Sequence, residues 1–232
     1  MNKLLKIIGA VAVINMVARF VGFTREIVIV NQYGTTAIAD SIINAYTIPN
    51  FLYLVIGGAF TTAFIAKFNK IDVGGRKDYV RRTFTTILLT IAAITLLCML
   101  FSEAVIKIYF QGISAEELEL LKPMYMWMMA STVMLVLSTW LSGILNVHNK
   151  YHLSTFSVLV YNTAFLVISV ALSFVMGPIG YGVGAFIGAA CMIAFLVFGV
   201  RKVEVMSFKP LFKDRLDQRE LWKMAITIMI GG

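Results

Sequence analysis

The chain has 232 residues, of which 59% are hydrophobic and only 14% are charged, and its mean hydropathy is +0.86. Soluble domains carry about a quarter charged residues, so a chain this apolar can hide its surface only in lipid. The composition therefore excludes a disordered chain, a DNA-binding module and a disulfide-stapled secreted domain. Its two cysteines, Cys98 and Cys191, lie in apolar runs without the spacing of metal ligands.

Six apolar runs are long enough to cross a bilayer as helices, because a crossing needs about 20 mainly apolar residues. They cover residues 7–31, 37–66, 84–110, 122–146, 153–176 and 179–200. A seventh run begins near Leu221 and reaches Gly232, where a helix would end in mid-bilayer with unsatisfied carbonyls, so we expect this chain to be part of a longer one. The predicted fold class is an all-α integral membrane protein with six complete transmembrane helices and the start of a seventh.

These runs divide the chain into three parts. We predict a six-helix transmembrane lobe at residues 1–200, a cytoplasmic amphipathic connector at 201–220 and the start of helix 7 at 221–232. The connector has apolar residues at helical spacing among basic ones, which is typical of a helix lying on a membrane face: Phe208, Leu211, Phe212 and Leu216. A solvated linker fits the same residues equally well.

The basic residues give the orientation. Of the 20 Lys and Arg residues, 16 lie on one side of the predicted bundle, in the N-terminal segment and in the connections at 67–82, 146–152 and 201–223. The connections on the other side carry none, and one of them holds Glu116, Glu117 and Glu119. Because cytoplasmic loops are enriched in Lys and Arg, we expect a cytoplasmic N-terminus. The net charge of +8 is then explained by topology, and no nucleic-acid partner is predicted.

Charged side chains inside the spans are the candidates for function, because each costs about 2.5 to 3.5 kcal/mol on insertion scales. They concentrate in helices 1 and 2: Arg19, Arg25, Glu26 and Asp40, with Asn15, Asn44 and Asn50 nearby. At about 100° per residue, Asn15, Arg19, Gly22 and Glu26 share one stripe, and Arg25 lies about 120° from Arg19. Helical rise places Arg25 and Asp40 about 6 Å apart in depth, so we expect an ion pair between them.

Two interpretations of these charges stay open. They form either an internal salt-bridge network that holds helices 1 and 2 together, or a water-filled cationic cavity for an anionic substrate. Paired guanidinium groups suit a phosphate or diphosphate, because each offers a planar fork of donors. Pro49 in helix 2 removes a backbone donor, so this helix has either a hinge or a tilt there. No catalytic residue, metal site or cofactor is predicted.

Glycines at four-residue spacing mark the last complete span. Gly180, Gly184 and Gly188 lie on one face of the predicted helix, and such spacing is typical of close helix packing in membranes. No Gly-Lys-Ser or Gly-Lys-Thr sequence follows them, so a phosphate-binding loop is disfavoured. We predict that this face packs against another helix.

Two blocks resemble a known family. The stretch ARFVGFTREIVIVNQYGTTAIADSIINAYTIPNFL, residues 18–52, resembles the start of the MurJ/MviN family of lipid II flippases, within the multidrug/oligosaccharidyl-lipid/polysaccharide exporter superfamily. The matching elements are Arg19, Gly22-Phe23, Arg25 with an acidic neighbour, Gly34, Asp40 and Pro49-Asn50. The second block is SGILNVHNKYHLSTFSVLVYN, residues 142–162.

The resemblance implies an activity and a set of partners. Family members have about fourteen helices in two lobes, so this chain would be the N-terminal lobe only, lacking a C-terminal lobe or a second copy. They are transporters and not enzymes, and flip an undecaprenyl-diphosphate-linked saccharide, lipid II, across the bacterial inner membrane for peptidoglycan synthesis by alternating access. The expected partners are this lipid-linked saccharide diphosphate and membrane lipids.

The same resemblance assigns roles to residues. Arg19 and Arg25 match the cavity arginines that bind the diphosphate, and Asp40 and Asn50 match further cavity positions. We expect supporting or hinge roles for Asn15, Gly22, Glu26 and Pro49. Alternatives remain: a polysaccharide-lipid or drug exporter of the same superfamily, or a non-transporting membrane scaffold or half-protein.

Overall fold

The computed structural model describes residues 3–203, 211 and 215–231, and its regular elements there are helical. They are α1 (Lys3–Tyr33), α2 (Ala37–Leu52), α3 (Gly58–Phe68), α4 (Val73–Leu100), α5 (Ser102–Tyr109), α6 (Ala115–Val147), α7 (Tyr151–Met176), α8 (Ile179–Arg201) and α9 (Arg215–Gly231). A π-helical turn, Tyr53–Gly57, joins α2 to α3. Half of the predicted connector at 201–220, including Phe208 and Phe212, lies outside the described residues, and so does the side chain of Leu216.

Six segments of the described chain are long and apolar enough to cross a membrane, which confirms the predicted all-α membrane fold. They are Leu5–Tyr33, Ala37–Phe68, Val73–Leu100, Ala115–Val147, Tyr151–Met176 and Ile179–Arg201. The second combines α2, the π-helical turn and α3. We call the end of the bundle that carries the α3–α4 and α6–α7 connections the basic end, and the opposite end the acidic end.

The centre of the bundle is α6. Met128, Met129 and Trp140 are at most 1% exposed, and α6 packs against α8, α2, α4 and α3. In contrast, α1 lies at the edge, where it packs mainly on α7, and large apolar side chains such as Met16 and Phe20 stay exposed. Large apolar side chains exposed on a membrane-spanning helix are suited to contact with lipid or with another protein surface.

The far end of α1 is held by a small polar cluster at the acidic end. The Gln32 amide nitrogen donates to the Ser173 hydroxyl of α7 at 2.8 Å, and the Tyr181 hydroxyl of α8 donates to the Gln32 amide oxygen at 2.9 Å. These hydrogen bonds remove the cost of leaving the polar groups unpaired in an apolar surrounding. The cluster therefore sets the position of α1 relative to α7 and α8.

The glycine face of α8 packs directly on the backbone of α7, as predicted. A Cβ on Gly180 would lie 2.6 Å from the Ser173 nitrogen, and one on Gly188 would lie 3.0 Å from the Phe165 nitrogen. Glycine is required for such an approach because any side chain would collide with main-chain atoms. The α7–α8 contact is thus set by backbone shape.

The second span changes helical form after Pro49. Because proline has no N–H to donate, the backbone ladder is interrupted there, and the π-helical turn begins four residues later. Gly57 ends the turn against α6, where a Cβ would lie 2.5 Å from the Thr139 hydroxyl oxygen. The second span therefore contains a wide turn packed on α6, and the hinge role of Pro49 stays a prediction.

The third span differs from its predicted bounds of 84–110. Helix α4 begins at Val73 and ends at Leu100, and the rest of the apolar run forms the separate helix α5. Arg76 to Arg82, expected in a loop, lie on the first turns of α4, because Lys and Arg are good helix formers whose long stems reach water. At the acidic end, a capping box between Ser114 and Glu117 starts α6 at Ala115, earlier than predicted.

Candidate anion-binding site

The site is built around Arg25 of α1. Its side chain is only 12% exposed. The guanidinium carbon lies 5.0 Å from the ring centroid of Tyr46 on α2 and 4.6 Å from that of Phe165 on α7. Aromatic faces attract a cation at this distance, more strongly where water is excluded. Three helices thus meet at one buried positive charge.

The donors of Arg25 are not consumed by protein acceptors. The nearest carboxylate oxygen among the described residues is Glu26 Oε1, at 4.0 Å from Arg25 Nη2, which is an ion pair but too long for a hydrogen bond. Within the described part of the chain, the Arg25 side chain makes no hydrogen bond. An arginine has five N–H donors in a planar fork that matches phosphate oxygens. Arg25 can therefore offer its donors to an anion.

The space beside Arg25 is small in this conformation. A cavity of about 40 Å³ is lined by Arg25, Glu26, Tyr46 and Phe165 together with apolar side chains of α1, α2 and α6. This volume holds water and not a diphosphate group. Glu26 and Ile43 also line a wider groove of about 590 Å³ on the outer side of α1 and α2. The small cavity at Arg25 and this wider groove share Glu26 and Ile43 in their walls.

Arg19 and Asn15 lie closer to the basic end on α1, and both are exposed. Asn15 lines an apolar groove of about 510 Å³ beside Tyr151, at the start of α7. Six residues separate Arg19 from Arg25, so their Cα atoms lie about 9 Å apart along the helix axis. The structure therefore does not bring the two arginines to one point but places them at successive depths on the same helix.

Gly22 lies where α7 crosses α1. The Asn162 amide nitrogen donates to the Ala18 carbonyl oxygen at 2.9 Å, and a Cβ on Gly22 would lie 3.8 Å from the same amide nitrogen. Asn162 thus binds the α1 backbone at Ala18, next to Arg19, and lies beside Gly22. Helix α1 remains α-helical through this point, and the hinge role of Gly22 stays a prediction.

The predicted ion pair between Arg25 and Asp40 is not formed. Asp40 is exposed on the first turn of α2 and lines a separate pocket of about 260 Å³ with Gln111 and Glu117. Similar depth is not enough to pair the two side chains, because their directions around the helix axes must also match. Tyr46 follows Asp40 by six residues, so the two side chains point about 120° apart, and the α2 face that meets Arg25 carries the tyrosine.

Asn50 follows Tyr46 by one helical turn and lies on the same face of α2. Its side chain is half-buried, next to the buried Pro49, and its carbonyl accepts the N–H of Tyr53. The structure thus places Asn50 one turn from Tyr46 on α2 and Asp40 at a separate pocket, and the substrate-binding role of Asn50 stays a prediction.

Sequence reasoning missed Tyr46, Asn162 and Phe165. Tyr46 lies in the first block that resembles the family, and Asn162 is the last residue of the second block. Phe165 is one of 17 phenylalanines in apolar sequence and carries no signal by itself. Only the packing of α7 on α1, which brings the Phe165 ring to Arg25 and Tyr46, identifies it.

Comparison with known proteins places the chain in a family. A family model described as "Lipid II flippase MurJ" matches residues 29–232. A probable lipid II flippase MurJ of Buchnera aphidicola is 28% identical over 176 residues, 72% of this chain and 34% of that protein. The Aquifex aeolicus protein of the same description is 22% identical over 224 residues, 94% of this chain and 44% of that protein.

Solved structures agree on the fold. A lipid II flippase MurJ in an inward closed conformation has a TM-score of 0.79 at 21% identity, and the match covers 95% of this chain and 47% of that one. A Vibrio cholerae MATE transporter, VcmN in its bent form, has a TM-score of 0.75 at 13% identity, covering 98% of this chain and 52% of that one. The chain thus spans about a third to about a half of the length of these relatives.

The region matched by the family model begins at Ile29, so Arg19 and Arg25 lie just before it, and Asp40, Asn50 and helices α2 to α9 lie within it. Six apolar spans and this match make the chain part of a multi-pass membrane protein with the exporter fold. The chain belongs to the MurJ family.

Proposed function

We propose that this chain is the N-terminal, diphosphate-binding lobe of a transporter that flips lipid II from the cytoplasmic to the outer leaflet for peptidoglycan synthesis. The observation that carries the proposal is Arg25, a largely buried guanidinium beside a cavity, whose N–H donors bond to no acceptor among the described residues. A buried cation without hydrogen-bonded partners is costly in a membrane, which favours a functional role over a structural one. Membership of the MurJ family supplies the substrate class.

In this proposal the two arginines act one after the other. Arg19, exposed nearer the basic end, attracts the diphosphate, and Arg25 receives it deeper in the lobe once the space beside it widens. Asn50 contributes a neutral donor next to this path, and Asp40 acts at the acidic end, where release occurs. The saccharide and diphosphate cross through the protein while the prenyl chain stays in lipid. No covalent bond is made or broken, so the activity is transport and not catalysis.

The lobe requires an opposing surface, because alternating access closes a cavity between two bodies. We propose that a C-terminal lobe or a second copy provides it. The exposed apolar faces of α1 support this, since they need either lipid or protein cover. The proposed setting is the bacterial inner membrane with the basic end in the cytoplasm, supported by the distribution of Lys and Arg.

The test is complementation of a bacterial strain depleted of its own lipid II flippase, using the full-length natural protein that contains this chain. Arg19→Ala or Arg25→Ala is expected to abolish growth at normal protein level, and Arg25→Lys to restore little, because a point charge does not replace the fork. Lys107→Ala is the matched control, since this charge lies on α5, away from the site. Normal growth of both Arg→Ala variants would refute the proposal and favour a scaffold.

A drug exporter of the same superfamily is the second candidate, favoured only by the fold likeness to a MATE transporter. Such an exporter of cationic substrates would meet repulsion from the positive charge of Arg25. Resistance conferred against cationic drugs, without complementation of the flippase, would select this alternative.

A further inference from the structure

The Arg25 guanidinium is held by rings rather than by carboxylates. Tyr46 and Phe165 contact it from two helices, and their own ring centroids are 6.0 Å apart. Glu26, the one carboxylate within ion-pair distance among the described residues, is too far away for a hydrogen bond and is itself 55% exposed. We refer to Tyr46 and Phe165 as the aromatic cage.

This arrangement differs chemically from a salt bridge. A carboxylate that holds an arginine takes two N–H donors in a bidentate pair, and those donors are then lost to a ligand. A ring attracts the cation through its face and accepts none of the in-plane N–H groups in this way. The cage therefore fixes the position of the charge and leaves the fork available.

The cage is rigid on the Phe165 side. Phe165 is 2% exposed, and the ring of Tyr161 lies 5.7 Å from it. Gly188 of α8 approaches the Phe165 backbone so closely that a Cβ there would lie 3.0 Å from its nitrogen. Tyr46 is less buried and lies on α2, between Asp40 and the π-helical turn. One wall of the cage is thus fixed in the α7–α8 pair, and the other belongs to a helix with a break in its backbone ladder.

We propose that Tyr46 and Phe165 are positioning residues that aim the Arg25 fork at a diphosphate. This inference rests on the proposed function. It adds that the two rings determine how tightly and how selectively the site binds a diphosphate. Without the cage, the long Arg25 side chain explores other rotamers, and the fork is no longer organised for two phosphate groups. The loss should be larger for a diphosphate than for a monophosphate, because the diphosphate uses more of the donors.

The test measures binding of undecaprenyl diphosphate and undecaprenyl monophosphate to the purified full-length protein in detergent. Tyr46→Leu and Phe165→Leu are each expected to weaken diphosphate binding about tenfold and to reduce the preference for diphosphate over monophosphate. Tyr46→Phe keeps the ring and should bind as the wild type does. Phe174→Leu is the matched control on α7, since Phe174 is 80% exposed.

Thermal unfolding of each variant separates positioning from general damage. If a cage residue only supports the fold, its Leu variant should unfold at a lower temperature and bind both lipids more weakly by the same factor, and this result would overturn the inference. Wild-type binding by both Leu variants would also overturn it. Arg25→Ala distinguishes failure of the proposed function from failure of the cage inference. If Arg25→Ala keeps wild-type affinity, the proposed function fails; if it loses affinity while both Leu variants keep it, only the cage inference fails.

Discussion

The contact between α7 and α8 gives the sharpest prediction about stability. Gly184 of α8 faces Ser169 of α7, and a Cβ at this position would collide with the Ser169 hydroxyl oxygen. Rotation of the serine relieves that contact, but the same Cβ would also lie 2.8 Å from the Ser169 Cα and from its nitrogen. Backbone atoms cannot rotate away, so Gly184→Ala must push the two helices apart.

The size of the effect follows from this distance. Carbon atoms in contact prefer a separation of about 3.5 to 4.0 Å, so the helices must separate locally by about 1 Å. Overpacking of this kind costs about 1 to 3 kcal/mol, and main-chain collisions belong at the upper end. Alanine is a better helix former than glycine by about 1 kcal/mol, which offsets part of the cost. We expect a net loss of about 2 kcal/mol in the free energy of unfolding.

The assay is thermal unfolding of the purified protein in detergent. A loss of about 2 kcal/mol lowers the midpoint by about 4 to 8 °C for a chain of this length. Gly9→Ala is the control, because a Cβ on Gly9 of α1 has no neighbour within 4 Å, and its midpoint should stay the same or rise. Equal midpoints for Gly184→Ala and Gly9→Ala would refute the view that backbone contact sets the α7–α8 packing.

Two further predictions concern the ends of the bundle. Single cysteines are placed at Lys150 and at Gln111 in a background without Cys98 and Cys191. An impermeant thiol reagent should label the cysteine at position 150 from the cytoplasmic side of the membrane and the cysteine at position 111 from the outer side. The reverse pattern would contradict the proposed orientation. His148 lies outside the spans near Phe68, and burial, with a smaller contribution from Arg76, lowers its pKa below the ordinary 6.5. Between the folded and unfolded pKa values the unfolded chain binds more protons than the folded one, so the folded state loses stability as the pH falls below about 6.5. The free energy of unfolding, measured from about pH 7.5 to 5.5, should therefore fall less steeply in His148→Gln than in the wild type. An unchanged slope in that variant would assign the pH dependence to other groups.

The spans could be predicted because length and hydropathy act locally along the chain. A run of apolar residues needs lipid whatever its neighbours are, so all six crossings were found. Their ends were less predictable. At the basic end, Arg76 to Arg82 extend α4 beyond the apolar run, because helix formation continues in water where the side chains favour it. At Phe101 the helix breaks within apolar sequence, and nothing in the composition marks that point.

The site could be predicted only in part, because a site depends on which helix faces meet. Arg25 was identified from the cost of placing a charge in lipid. Its partner was assigned to Asp40 by depth alone, and the rotation of α2 instead presents Tyr46. Phe165 reaches Arg25 from α7, far along the chain, and an aromatic residue in an apolar run gives no indication of such a contact. The glycine face of α8 could be recognised in the sequence, but its contact with the Phe165 backbone could not be predicted.

The central claim is that the Arg25 fork binds a diphosphate, and equilibrium binding of undecaprenyl diphosphate to wild type and Arg25→Lys tests it most directly. Lysine keeps the charge and loses the planar set of donors, so the account predicts roughly tenfold or greater weakening of diphosphate binding, about 1.4 kcal/mol, with little change for the monophosphate. Equal affinity of the two proteins for undecaprenyl diphosphate would contradict it.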